Sequence, residues 1–109
     1  MPSRSISESD WKVFRELQTI ALDRFCLRVL SEIESVSATS GKTAHERYLD
    51  VYKLIQQRDE ELALAFNDAR RSVAWQQLAA IQRHNLLTDE EMSRFSPETR
   101  EIVRTYLGI

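Results

Sequence analysis

The chain has 109 residues, 42% of them hydrophobic and 29% charged, with a net charge of −2. That size suits one domain, and the near-neutral balance gives no overall field to draw in nucleic acid or an anionic membrane. A single cysteine, Cys26, excludes an intrachain disulfide and an all-cysteine metal site.

Only Pro2, Gly41, Pro97 and Gly108 carry the residue types that most strongly break regular structure. These four divide the chain into a few long pieces, and no stretch alternates apolar and polar residues as a half-buried strand would. Residues 1–6 read as a flexible N-terminal tail. Nothing in the sequence resembles a secretory leader or a membrane span, so a cytoplasmic location is expected.

Ser7 followed by Asp10 is a capping-box-like helix start. From there Trp11, Phe14, Leu17, Ala21 and Phe25 recur at spacings of three and four. Leu22, Cys26, Val29, Ile33 and Val36 form a second stripe beside them, so this helix should bury a wide face and end near Ser35. Cys26, inside an apolar run, reads as a small buried hydrophobe. Residues 37–41 form a turn, with Gly41 free to take a positive φ.

Thr43 and Glu46 open a second helix through a complete capping box. Its apolar register runs through Tyr48, Tyr52, Ile55, Leu62, Phe66, Ala69, Val73 and Ala80 to about His84, interrupted by Asp59 and Gln76. Asn85 suits the helix end because it tolerates the left-handed conformation. As one piece, residues 44–84 would span ~60 Å at 1.5 Å per residue, far longer than a small domain is wide. The leading expectation is a continuous helix whose distal stripe protrudes and seeks a second chain. The alternatives are a break near Asp59 and a kink near Asn67 and Asp68. Thr88 with Glu91 caps a short helix, stapled by Leu87 and Met92. Ser96 and Pro97 start the last helix, which buries Ile102, Val103, Tyr106 and Leu107 and stops at Gly108. The expected fold is all-α: one helical domain, an antiparallel hairpin of two long helices plus two short C-terminal helices, forming a helical bundle.

Motifs for chemistry are scarce. Ser40-Gly41-Lys42-Thr43 ends like a phosphate-binding loop, but Val36 stands where the first glycine belongs and no strand precedes it. His45-Glu46 starts like a zinc-protease motif, yet Leu49 replaces the second histidine. Two distant histidines and one cysteine give no metal-ligand set. Asp59, on the apolar register, is the best candidate for acid–base chemistry, but a polar residue there more often sets register or pairs with an arginine, and Arg24 or Arg28 is within reach. Arginine makes up 12 of the 15 basic residues, which suits planar, bidentate contacts but equally reflects coding bias.

The sequence therefore points to a non-catalytic protein without metal or cofactor, acting through protein–protein contacts. The expected partner is a second copy, as a homodimer, or another helical protein. The expected interface is Leu62, Phe66, Ala69, Val73 and Trp75. The alternative is a nucleic-acid-associated regulator using Arg70, Arg71 and Arg83.

Overall fold

Two capped helices form the long axis of the molecule. A computed structural model describes residues 5–109. In it, α1 spans Glu8–Ser37 and α2 spans Ala44–Phe66. Among the described residues there is no strand. Ser7 Oγ accepts from the Asp10 amide at 3.2 Å. At the start of α2, Thr43 Oγ1 accepts from the Glu46 amide at 3.1 Å, and Glu46 accepts from the Thr43 amide at 2.9 Å. The turn between the helices uses Gly41 at φ +82°, where a side chain would be strained. Arg47 reaches the Ser37 carbonyl, Arg58 pairs with Glu32, and Phe66 meets Phe25. Rising numbers on one helix match falling numbers on the other, so the hairpin is antiparallel.

The continuous helix expected over residues 44–84 does not form. It stops at Phe66: Asn67 is extended (φ −76°, ψ 148°) and Asp68 turns left-handed at φ +53°. Asx residues have poor helix propensity and tolerate that region better than other side chains. A 3-10 turn, Arg71–Val73, then leads into α3, Ala74–Arg83. The kink expected as the last of three alternatives is a full reversal of the chain. Gln77 Nε2 donates to the Asn67 carbonyl at 2.6 Å, satisfying an acceptor that the broken helix leaves open. Arg71 donates to Glu8 at 2.8 Å and to the Ile6 carbonyl at 2.9 Å, tying the reversal to the start of α1. Of the tail expected over residues 1–6, residues 1–4 lie outside the described residues. Ile6, by contrast, is only 1% exposed and belongs to the core.

Two further helices close this end: α4, Asp89–Met92, and α5, Pro97–Leu107. Asn85 takes the left-handed conformation (φ +53°) after α3, and Gly108 (φ +78°) ends α5. The core gathers Ile6, Phe14, Leu17, Ala21 and Phe25 with Phe66, Leu78, Ile81, Leu86, Phe95 and Val103. All of it lies where the C-terminal segments cover α1 as far as Phe25 and the end of α2. The molecule is therefore elongated, with extents of 58 × 28 × 25 Å and a radius of gyration of 16.9 Å, against ~13 Å for a compact chain of this length.

A buried carboxylate fastens α5 to α1. Asp10 does not reach back to complete its own helix's capping box. Instead it accepts from the Ser96 amide (2.9 Å), the Ser96 hydroxyl (2.5 Å) and the Thr99 hydroxyl (2.6 Å). Thr99 Oγ1 in turn accepts from Trp75 Nε1 at 3.1 Å, so α1, α3 and α5 meet at one carboxylate. Burial alone would raise the Asp10 pKa, but the hydrogen bonds from Ser96 and Thr99 outweigh it and hold the group below its ordinary value. Arginine forks complete the assembly. Arg24 grips Glu91 at 2.6 and 3.0 Å, and Arg94 grips Glu16 at 3.4 and 2.8 Å. Arg58 grips Glu32 at 3.0 and 2.9 Å. Bidentate pairing of this kind needs the planar guanidinium.

Two predictions follow from these fastenings. Asp10→Ala leaves buried donors unpaired and should cost roughly 2–3 kcal/mol in urea unfolding; a loss within the ~0.5 kcal/mol usual at exposed positions would contradict the clamp. Hydrogen bonds from Arg24 and from the Thr88 amide lower the Glu91 pKa from 4.5 to about 2. A depressed folded-state pKa adds stability that is complete above the unfolded value and lost as pH falls towards the folded one. The urea midpoint should therefore decline between pH 4.5 and about 2 more steeply in the parent than in Glu91→Gln; identical slopes would rule this linkage out.

Candidate protein-interaction surface

The hairpin outruns the segments that cover it. Along α2, Tyr48, Tyr52, Ile55, Asp59 and Leu62 are spaced four, three, four and three residues apart, so they form one stripe. On α1, Cys26, Leu30 and Ile33 form the matching stripe. Their neighbours on the other flank, Val51 on α2 and Val29 on α1, fill the seam between the helices and are half-buried. Among the described residues no other element lies over the stripes, because the chain turns back at Asn67 and covers the opposite end of the molecule.

The result is a continuous apolar groove in two parts. Near the hairpin turn, an open hollow of about 450 Å³ is lined by Ser37, Ala44, Arg47, Tyr48, Val51, Tyr52 and Ile55. Beside it, a hollow of about 290 Å³ is lined by Phe25, Cys26, Val29, Leu30, Ile33, Ile55, Asp59 and Leu62. Ile55 belongs to both and joins them. Tyr48 is 67% exposed, Leu30 57%, Tyr52 55% and Ile55 46%. At ~200 Å² for a large side chain, these four leave roughly 450 Å² of largely apolar surface in water. That lies within the range for the largest patch on a monomer, which is often a functional one.

The residues expected from the sequence to form an interface are mostly engaged within the chain. Phe66 is 8% exposed, with its ring 6.1 Å from that of Phe25. Leu62 and Trp75 are half-buried against the core, and Trp75 donates to Thr99. Val73 is half-buried, while Ala69 is exposed in the reversal. Of these five residues only Leu62 lines the groove. Tyr48, Tyr52 and Ile55, assigned to the inward stripe by their spacing, are the exposed ones. Cys26, expected to be buried, is half-exposed in the groove wall.

Asp59 is not paired with Arg24 or Arg28. Arg24 holds Glu91 and the Leu86 carbonyl, and Arg28 donates to the carbonyls of His84 and Asn85. These arginines point to the side of α1 that receives the C-terminal segments, away from the groove. Of the alternative nucleic-acid set, Arg71 is bound to Glu8 and Ile6, Arg83 donates to the Tyr106 carbonyl at 2.7 Å, and Arg70 is exposed.

A second cleft, of about 250 Å³, is polar: Arg28, Val29, Glu32, Arg58, Glu61 and His84 line it with Phe25. Its charges are matched internally, Arg58 pairing with both Glu32 and Glu61. The hydrogen bond from Arg58 holds the Glu32 carboxyl below its ordinary pKa, so it stays ionised. Among the described residues, no three His, Cys, Asp or Glu side chains are grouped to hold a metal ion, and no helix is long and apolar enough to cross a membrane. Comparison with protein-family models, curated proteins and solved structures finds no match to this chain.

This placement separates two kinds of apolar residue on one helix. Tyr52→Glu and Ile55→Lys should each change unfolding free energy by no more than ~0.5 kcal/mol, as exposed positions do. Phe66→Ala should cost ~3–5 kcal/mol. Equal losses at positions 55 and 66 would show that the groove is filled in the free chain.

Proposed function

We propose that this chain acts by contact with another polypeptide, docked on the apolar face of the α1–α2 hairpin. The observation that carries the reading is the joined groove centred on Ile55, where two hollows lined mainly by apolar side chains of both helices meet in water. Two adjacent helices with an open seam are half of a four-helix arrangement, and a helix laid along them buries the stripe as in other helix-in-groove contacts. The contact reading inferred from sequence is kept, and its location moves from residues 62–75 to residues 48–62. Self-association, if it occurs, would use this same face.

A catalytic role finds little support. Every carboxylate whose titration departs clearly from its ordinary value is held below it: Asp10, Glu16, Glu32, Glu46 and Glu91. None is pushed towards neutrality, where general acid–base catalysis operates. The nucleic-acid reading is weakened because Arg71 and Arg83 are engaged within the chain.

A photo-reactive phenylalanine analogue tests the reading in cells. Placed at Tyr52 it should form discrete protein adducts. Placed at Leu64, which is 78% exposed on the far side of α2, it should form none. Equal labelling from both positions, or none from Tyr52, would contradict the assignment.

A further inference from the structure

Resting on that reading, we propose that the occupant of the groove is an amphipathic helix of about four turns from a different protein, with Lys or Arg flanking its apolar stripe. Length comes first. From Tyr48 to Leu62 the groove runs ~21 Å at 1.5 Å per residue, or about four turns. It is bounded by the hairpin turn at one end and by the buried Phe66 at the other. A helix of that length matches the bare seam along its whole extent.

Charge identifies the flanks. Asp59 lines the groove, at the same register as Ile55 and Leu62. On α1, Asp23 precedes Leu30 by seven residues and Glu34 follows it by four, so helical spacing sets both on the outer flank of that stripe, outside the lining of the hollows. All three carboxylates are exposed, and none makes an ion pair among the described residues. Of the other acids on the same two helices, Glu8, Glu16, Glu32, Asp50 and Glu61 each hold an arginine or lysine, Asp10 and Glu46 accept backbone hydrogen bonds at helix starts, and Glu60 is exposed beside Leu64 on the far side of α2. Three of the four carboxylates left without a partner among the described residues thus flank the apolar seam. Arg47 is the one cation lining it, and its Nη1 donates to the Ser37 carbonyl at 3.1 Å. An incoming helix meets an apolar floor and an acidic border, so cationic flanks complete it electrostatically and speed its encounter. A second copy would bring its own Asp23, Glu34 and Asp59 to the same seam, setting like charges together at an isologous contact.

Titration calorimetry on the full chain tests the proposal with two synthetic helices of about 16 residues. Both carry one Leu/Ala stripe; one is flanked by Lys, the other by Glu. The Lys helix should bind one to one with a Kd on the order of 10 µM, and the Glu helix at least tenfold more weakly. Joint Asp23→Asn, Glu34→Gln and Asp59→Asn substitution should reduce binding of the Lys helix about tenfold and flatten its salt dependence. Ile55→Lys should abolish it, while Leu64→Lys should leave it intact. Equal binding of the two helices, or of neither, overturns the proposal. So does light scattering that finds a dimer which Ile55→Lys reduces to a monomer, because the occupant is then a second copy. Adducts at Tyr52 together with failure of the Lys helix would leave the contact reading standing and remove only the basic partner.

Discussion

The reversal of the chain at residues 67–70 determines everything else in this molecule. Had α2 continued in register to residue 84, its distal stripe would have stood free and the first half of α1 would have lacked a cover. Instead Asp68 turns left-handed, Gln77 takes up the Asn67 carbonyl, and Arg71 anchors the turn to Ile6 and Glu8. The amphipathic α3 then lies against the hairpin's base and, with α5, builds the core there. One end of the hairpin acquires a third layer and the other end keeps two.

That asymmetry explains both the stability and the exposed surface. At the base, the Asp10 carboxylate gathers Ser96 and Thr99, and through Thr99 the indole of Trp75. A buried group with so many donors fixes how α5 docks as well as whether it docks. The arginine forks to Glu16, Glu32 and Glu91 add geometric specificity between elements distant in sequence. None of these fastenings reaches beyond the middle of the hairpin on its open side, where Tyr48, Tyr52, Ile55 and Leu30 remain in water.

Local signals in the sequence were sufficient for the caps. Thr43 with Glu46, Thr88 with Glu91, Ser96 with Pro97, and the left-handed Gly41, Asn85 and Gly108 all stand where residue chemistry places them. The reversal was weakly legible, because Asn67 and Asp68 are only modestly poor helix formers and what stabilises the break is tertiary: Gln77, Arg71 and the burial of Phe66. Which part of the apolar stripe stays exposed was illegible for the same reason. Periodicity shows that Tyr48, Tyr52 and Ile55 share a face with Phe66, but spacing alone cannot tell which part of a stripe another element covers. Asp10 shows the same limit. Its spacing from Ser7 reads as a local capping box, whereas its carboxylate serves a helix that starts 86 residues later.

The central claim, that a covered base supports a bare hairpin end, is tested most directly by amide hydrogen exchange on the free chain. Amides of residues 47–58 should exchange through local opening, orders of magnitude faster than those of residues 77–82 in α3, which report unfolding of the core. Equal protection of the two segments would mean that the hairpin face is already covered, and would contradict the account.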